Sequence, residues 1–486
     1  MTSRYATSPT GPGEPAPSRD TATDARTLAE LREPGGRPVL VKGAVILSQD
    51  PAVGDYAPGD ILIRDGKIAY VGENAAEELD RQPGEAVVID AAGTIAIPGF
   101  VDPHVHAWEG QLRGTAPTLD FGGYLGFTAF GYGPHYRPHD NYAGTLTTAL
   151  VALNAGITTI VDNSHNSRTP EHSSAAVEAL IDSGIRGVHA SGAPVGANPI
   201  TWPADVTRLR SEYFSSADQL VTLRLFDLYP SVDLWEFARR EGLWISSEMG
   251  SHIDNVADVL ADLDAKGLLT SDHAFNHCNA LPDKTWKLIK DSGAAVNLAP
   301  RSDAAFGLGS AFPPIDQARA AGLVPGLSGD NEISYGLSMF TEMQTLLNKH
   351  RGSVFGRITD GDQNPPEQLA PSDVLRFATL GGAANAGLSG KVGSLTPGKE
   401  ADIVLIRTTD VHTAPGTNAV ATVTAFAHVG NVDTVLVAGQ IRKWRGKLTG
   451  HDMNAVAAQA LASRDYLFAA SGQRADALTD MGTSRR

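Results

Sequence analysis

The central part of the chain, from about residue 99 to residue 388, alternates strand-like and helix-like patterns. GITTIVDN, which is rich in β-branched residues, precedes the helical SSAAVEALIDSG, and LWISSEMG precedes the helical DNVADVLADLDAKG. Repeated strand–helix units predict a parallel sheet covered by crossover helices. About 290 residues with this many repeats favour a closed (β/α)8 barrel of the TIM type over an open sheet.

Two all-β stretches flank this region, at residues 39–98 and 389–448. Their β-branched runs are broken by glycine and aspartate, and the pair Asp65-Gly66 predicts a tight hairpin. The shared texture predicts one small β-sandwich domain formed by both chain ends, with residues 401–406 in the same sheet as the strands before Pro98. Residues 1–38 are expected to be a disordered or loosely packed extension. Residues 449–486 are expected to form a C-terminal helix and a polar tail.

Composition narrows the function classes. The formal net charge is -16, from 39 basic and 55 acidic residues, so nucleic acids and anionic membranes are not expected partners. No apolar run approaches the roughly 20 residues that span a bilayer. Cys278 is the single cysteine, which excludes an intramolecular disulfide and fits a cytoplasmic protein.

The strongest chemical signal is the segment PGFVDPHVHAWEGQLRG, at the predicted junction of the β-domain and the barrel. His104 and His106 are two residues apart, and residues i and i+2 of a strand share a face. Two imidazoles on one face at the end of a strand can bind one divalent metal. The sequence therefore predicts a metal site at the mouth of the barrel.

This segment resembles the first barrel strand of the amidohydrolase superfamily, in particular its branch of cytosine deaminases and triazine chlorohydrolases. Three further segments carry the same resemblance: AGITTIVDNSHN, FNHCNALPDKTWKLIKDSGAAVNLAPRSD and VGSLTPGKEADIVLI. The resemblance implies that His104 and His106 are metal ligands and that His277 orients the reacting water or polarises the substrate. It also implies that Asp330, in LSGD, is both a metal ligand and the general base.

The fifth predicted strand departs from the family pattern. The family places a third histidine there, whereas LWISSEMG offers Ile245, Ser246 or Ser247. Three protein ligands still suffice for a catalytic metal. Glu248 has two functional interpretations, as a surrogate ligand or as a proton shuttle. His252 is the lesser candidate for replacing the missing histidine.

Polar and aromatic residues after the strands are candidates for substrate contacts, because barrels place such contacts on these loops. The predicted contacts are Trp108, Gln111, His165, Arg301 and Glu332. Phe121, Tyr124 and Phe127 lie in a predicted longer loop after the first strand and are expected to cover an aromatic or apolar substrate.

Three hypotheses of function follow. The resemblance implies a metal-dependent hydrolase that cleaves a C–N bond, or a C–Cl bond, of a heterocyclic or related small molecule through a metal-activated water. Asp330 would accept the proton, and Glu248 or His277 would assist the leaving group. The second hypothesis is an altered or absent metal site that performs elimination, isomerisation or hydration. A non-catalytic binding protein is the third, and the joint presence of His104, His106, His277 and Asp330 argues against it.

The expected cofactor is one divalent metal. Zinc suits two histidines and a carboxylate, with iron or manganese as alternatives, and occupancy is an open question because the fifth-strand histidine is missing. Analogy with the family also predicts a homo-oligomer, a dimer or larger.

Overall fold

A computed structural model describes residues 21–80, 86–196, 202–250, 252–309 and 312–473. Most of the predicted N-terminal extension, residues 1–20, and the end of the predicted tail, residues 474–486, lie outside these ranges. None of the described helices is both long enough and apolar enough to cross a membrane.

The strands form two separate sheets. Five precede the barrel: β1 (Val39–Ile46), β2 (Tyr56–Arg64), β3 (Lys67–Gly72), β4 (Val87–Asp90) and β5 (Thr94–Pro98). The barrel strands are β6 (Phe100–Val105), β7 (Ile157–Ser164), β8 (Arg186–Ser191), β9 (Val221–Asp227), β10 (Ile245–Met249), β11 (His273–His277), β12 (Ala295–Leu298) and β13 (Gly326–Leu327). Four follow: β14 (Ile403–Arg407), β15 (Val432–Val437), β16 (Gln440–Trp444) and β17 (Lys447–Leu448).

The barrel strands lie side by side in chain order, and every neighbouring pair is parallel. A parallel bridge between Val105 and Asp330 joins the first strand to the end of the last. Two backbone hydrogen bonds reinforce this junction: the Asp330 amide donates to the His104 carbonyl at 3.0 Å, and the His106 amide donates to the Asp330 carbonyl at 2.7 Å. The predicted eight-stranded barrel is confirmed.

Sixteen α-helices occur in the described part of the chain. They are α1 (Thr21–Arg32), α2 (Ala75–Asp80), α3 (Phe121–Phe127), α4 (Pro138–Asn154), α5 (Pro170–Ser183), α6 (Ala204–Tyr213), α7 (Val232–Glu241), α8 (Val256–Ala265), α9 (Asp283–Ser292), α10 (Pro300–Phe306), α11 (Ile315–Ala320), α12 (Met339–Thr359), α13 (Pro371–Arg376), α14 (Gly382–Asn385), α15 (Ala419–Ala421) and α16 (Met453–Ser471). Short 3-10 helices span Ala107–Leu112, Gly133–His135 and Val429–Asn431. Single π-helical turns span Thr128–Tyr132, Phe377–Gly381 and Thr422–Phe426.

Both chain ends build the second sheet, as the sequence predicts. Its order is β17-β16-β15-β14-β5-β1-β2-β3, with β4 paired to β1. The two ends meet where β14 pairs antiparallel with β5, with Val404 opposite Ile97. The predicted hairpin joins β2 to β3, with positive φ angles of 49° at Asp65 and 77° at Gly66. Where one domain gives way to the other stays a prediction.

Residues 21–32 differ from the loose extension that composition predicts, because they form helix α1 against the second sheet. Leu31 of α1 belongs to the same buried cluster as Val39 and Trp444. The Trp444 indole N–H donates to the Asp24 carbonyl at 3.2 Å. The polar composition of this segment did not predict these contacts, because they involve only a few residues, such as Leu31 and the backbone of Asp24.

Candidate metal centre and cavity

The first barrel strand brings two imidazoles to one point. Nε2 of His104 and Nε2 of His106 lie 3.4 Å apart. Nδ1 of His106 lies 3.0 Å from the Asn163 carbonyl oxygen, which can only accept a hydrogen bond. Nδ1 therefore carries the proton, and the Nε2 lone pair of His106 faces the centre of the site, as metal binding requires.

Asp330 faces the two histidines from the other side of the barrel junction. Its Oδ1 lies 3.4 Å from Nε2 of His104 and 3.3 Å from Nε2 of His106. Its Oδ2 accepts hydrogen bonds from the Ser302 hydroxyl and from Nδ2 of Asn331. Asp330 has a φ of +66°, a left-handed conformation that aspartate tolerates better than most residues. The carboxylate is thus held by its neighbours with one oxygen aimed at the histidines.

The fifth strand, β10, presents a carboxylate in place of the missing histidine. Ile245 is buried among the helices outside the barrel, in a cluster with Trp235. Because side chains alternate along a strand, Ser246 and Glu248 face inward. Oε1 of Glu248 lies 3.2 Å from Nε2 of His104. In the described part of the chain, β10 therefore offers the centre an oxygen and no nitrogen.

His277 ends β11 on the same side of the barrel. Its Nδ1 lies 2.9 Å from Oδ1 of Asp303, and its Nε2 lies 3.5 Å from Oε2 of Glu248 and 4.0 Å from Oδ2 of Asp330. Its φ of +60° is unusual for a residue with a side chain and is typical of functional positions. Burial lowers the pKa of His277, but Asp303 and the nearby carboxylates outweigh burial and raise the pKa to about 10. Asp303 thus both orients this imidazole and favours its protonated form.

The donor atoms fit a divalent metal. Ligands about 2.0–2.1 Å from a tetrahedral zinc lie roughly 3.3–3.4 Å from one another. The distances among His104, His106 and the nearer oxygen of Asp330, at 3.3–3.4 Å, match that spacing. Burial would lower the pKa of His104, yet Glu248 and Asp330 outweigh burial and raise it. The two carboxylates therefore favour positive charge at the centre, whether a proton or a cation supplies it.

This centre is the floor of a cavity of about 400 Å³. We call the polar end the floor; it is formed by His106, His165, Glu248, His277 and Asp330. We call the remainder the wall; it is formed by Phe121, Tyr124, Leu125, Phe130, Val195, Leu228, Tyr229, Met249, Gly250, His252, Asn279, Phe306, Gly307, Leu308 and Gly309. The floor offers chemistry, whereas the wall offers mainly rings and aliphatic side chains.

Of the five predicted substrate contacts, the structure places His165 on the cavity. Burial lowers the pKa of His165 well below its usual value, so this ring is neutral. The wall also includes Phe121 and Tyr124, which lie on α3 where the sequence suggested a long loop. Phe127 ends α3 and packs on Tyr132 instead, with ring centroids 4.9 Å apart.

The other four predicted contacts lie away from the cavity. Trp108 is buried between His165 and Tyr136, with ring centroids 5.4 and 5.2 Å away. Nε2 of Gln111 donates to the Asp140 carbonyl at 3.2 Å. Both residues belong to the 3-10 helix after β6, whose buried face turns them behind the floor.

Arg301 and Glu332 are each engaged by other protein groups. Nε of Arg301 donates to the carboxylate of Glu342, a residue of α12, at 2.6 Å. Both oxygens of Glu332 accept hydrogen bonds from Arg113, at 2.8–2.9 Å, and one accepts a further bond from Thr148. These ion pairs remove both groups from the expected substrate contacts.

Sequence reasoning placed Asp303 only among the polar groups at the barrel mouth, and it singled out neither Asn276 nor Phe306, although all three residues shape the site. Asp303 was visible as an acid after the seventh strand, but its pairing with His277 was not. Asn276 donates from Nδ2 to Oε1 of Glu248 at 3.1 Å, and its position next to His277 was the available signal. Phe306 packs on Tyr124 with ring centroids 4.9 Å apart, and no motif marked it.

Comparisons with known proteins identify the family of this chain. The amidohydrolase family pattern matches residues 95–224 and 245–442, which is more than half of the chain. A 5-methylthioadenosine/S-adenosylhomocysteine deaminase of Pelotomaculum thermopropionicum is 27% identical over 439 residues, covering 87% of this chain and 97% of that protein. A 5'-deoxyadenosine deaminase of Methanosarcina acetivorans is 26% identical over 429 residues, covering 83% and 92%.

Two solved structures share the fold. An adenosine deaminase of Xanthomonas campestris with bound zinc has a TM-score of 0.75 at 19% identity, covering 89% of this chain and 98% of that one. An atrazine chlorohydrolase of Arthrobacter aurescens in complex with zinc has a TM-score of 0.74 at 20% identity, covering 88% and 100%. At these identities the similarity extends to the fold alone.

Proposed function

This chain belongs to the amidohydrolase family, and from that membership we propose that it is a metal-dependent hydrolase that deaminates a small heterocyclic molecule. The carrying observation is the convergence of His104, His106, Glu248 and Asp330 on one point, with His277 beside them. The two relatives described above are named deaminases, and this chain matches nearly their whole length. These matches support the cleavage of a C–N bond other than a peptide bond.

His104, His106 and Asp330 would hold one divalent metal, which we propose to be zinc, with iron or manganese as alternatives. Glu248 is the fourth protein group within reach. A cation there would act as a Lewis acid and make water a stronger acid near neutral pH.

The protein groups account for the movement of protons. Water attacks the ring carbon that bears the amino group, and Asp330 takes one of its protons. As the C–N bond breaks, that proton passes to the departing amine, which leaves as ammonia. His277, held by Asp303, would donate a hydrogen bond from Nε2 to the ring and draw electrons from the reacting carbon. His165 would contact the bound ring as a neutral imidazole.

Glu248 has two proposed roles, as a metal ligand through Oε1 and as a proton shuttle beside His277 through Oε2. The variant Glu248→Gln separates them. If Glu248 is a ligand, metal content of the purified variant falls together with turnover. If it is a shuttle, metal content stays at the wild-type level while kcat falls.

The proposed function is tested by incubating the purified protein, with its metal content measured, with amino-substituted pyrimidines, purines and triazines. We expect stoichiometric ammonia and one oxygen atom from labelled water in the product. Chloride release from chlorotriazines would indicate dechlorination at the same site. Turnover of a substrate without incorporation of water oxygen would instead favour the elimination or isomerisation alternative.

Two further features are proposed from the same background. We propose that the chain forms a homo-oligomer and acts in the cytoplasm on small molecules, in keeping with a buried single cysteine, Cys278. Light scattering at micromolar protein measures the first, and a monomer would contradict it.

A further inference from the structure

We propose that the substrate is uncharged and carries an apolar group on the side away from the amino group that is removed. This inference rests on the proposed function and specifies its substrate class. It excludes nucleotides, carboxylates and other anions. Four observations on the cavity carry it.

The first observation is the continuous aromatic surface of the wall. Phe121 stacks on Tyr124 at a centroid distance of 6.4 Å and an interplanar angle of 23°, and Tyr124 packs on Phe306 at 4.9 Å. Leu125 and Leu308 extend this surface. A planar or apolar substituent that enters from the mouth of the cavity therefore meets ring faces and aliphatic carbons.

The second observation is that three polar side chains of the wall, Tyr124, Asn279 and His252, already contact other protein groups. The Tyr124 hydroxyl donates to Glu109 at 2.7 Å, and Nδ2 of Asn279 donates to Asp303 at 2.8 Å. Nε2 of His252 lies 3.4 Å from the Leu228 carbonyl oxygen. A polar substituent on the substrate would lose water at this wall and gain few hydrogen bonds in return.

The third observation is that neither a lysine nor an arginine occurs among the described residues that line the cavity. Arg168 contacts Val195 of the wall, but its guanidinium donates to the carbonyls of Gly133 and Val195. Arg301 is paired with Glu342. An anionic substituent at the wall would thus lie in an apolar space without a counter-charge, because the imidazolium of His277 lies at the floor and is paired with Asp303.

The fourth observation concerns the mouth of the cavity. Phe130 is 55% exposed and Tyr229 is 62% exposed, although both line the cavity. Large aromatic side chains left in solvent around a cavity mark a binding surface that a ligand completes. An apolar substituent would cover them, whereas a charged one would keep its water and leave them exposed.

The experiment compares two triazines that share the ring and its amino group. One carries a butylamino substituent and the other a 3-carboxypropylamino substituent. Binding to the metal-loaded protein is measured by calorimetry, and ammonia release is measured in parallel. We expect the uncharged compound to bind on the order of 100-fold more tightly, because the carboxylate finds no partner.

Leu308→Arg supplies the missing cation within the wall. We expect this variant to reduce or reverse the preference between the two triazines, and Ile181→Arg on α5, which is remote from the lining residues, to leave it unchanged. Equal or tighter binding of the carboxylate by the wild-type protein overturns the inference, and so does the absence of binding of both compounds at millimolar concentration. Selective binding without ammonia release supports the substrate class while contradicting the proposed deamination.

Discussion

The floor and the wall of the cavity are built from different parts of the fold. The floor comes from the ends of β6, β7, β10, β11 and β13, whose positions are fixed by the hydrogen-bonded barrel. The wall comes from α3, α10 and the connections after the strands. The barrel thus carries its reacting groups at the ends of rigid strands. The residues that select the substrate lie on connecting segments, whose sequence can change with little loss of stability. Changes in the floor should act on kcat, and changes in the wall should act on KM.

Removal of a proposed metal ligand beneath the floor should have the largest effect. His104→Ala takes away one of two imidazoles, so we expect loss of both metal and detectable turnover. Elemental analysis of the purified protein measures the metal. His139→Ala, an exposed histidine on α4, is the matched control and should keep both. Stoichiometric metal in His104→Ala would contradict the proposed ligand set.

Asp330→Asn should lower kcat by about three orders of magnitude, because the amide cannot accept the proton. Asparagine tolerates the left-handed backbone of this position, so the melting temperature should change by no more than a few degrees. Steady-state kinetics and thermal unfolding measure the two quantities. Near wild-type turnover would show that another group is the base.

Asp303→Asn tests how the floor is oriented. Without the carboxylate the pKa of His277, now raised to about 10, should fall, so the imidazolium is lost at lower pH. We expect the alkaline limb of the kcat profile to move to lower pH, with activity falling about 10- to 100-fold on that limb. Asp316→Asn, which breaks a similar pair with His350 far from the floor, should leave the profile unchanged.

Phe306→Leu tests the wall. Leucine keeps an apolar surface but removes the ring that packs on Tyr124, so we expect KM for an aromatic or alkyl-substituted substrate to rise about 3- to 10-fold. The kcat value should stay within about twofold of the wild-type value. A large fall in kcat with KM unchanged would mean that wall and floor are not independent.

Tyr124→Phe should give the smallest change in kinetics. The ring remains in the wall, but the hydroxyl that donates to the buried Glu109 is lost. We expect little change in kcat/KM and a fall in the free energy of unfolding of about 1–3 kcal/mol. Denaturant titration measures the second quantity.

The sequence predicted the floor far better than the wall. His104, His106, His277 and Asp330 stand at strand ends, and the period of two along a strand gives the direction of each side chain. Their predicted convergence agrees with the structure, although their roles stay predictions. The sequence showed that an acid could replace the strand-five histidine and favoured Glu248 over His252, and the structure places Oε1 of Glu248 3.2 Å from Nε2 of His104.

The predicted contacts that lie elsewhere fail for a common physical reason. Trp108 and Gln111 sit on a 3-10 helix whose orientation depends on packing against α4, and no local pattern encodes it. Arg301 pairs with an acid 41 residues later in the chain. Such long-range ion pairs decide where a long side chain points, and a single sequence does not show them. Phe306 entered the wall in the same way, through a contact with a helix distant in sequence.

The bridge between Val105 and Asp330 ties catalysis to the completion of folding. The two residues are 225 positions apart in the chain, so this contact is entropically among the most expensive that the barrel makes. Contacts of such high sequence separation tend to form late. In a folding intermediate that lacks this junction, the proposed base, Asp330, is not held next to His104 and His106, even if the rest of the barrel has formed. Catalytic activity should therefore appear only in the final kinetic phase of refolding, and partially folded chains in a cell would be inactive.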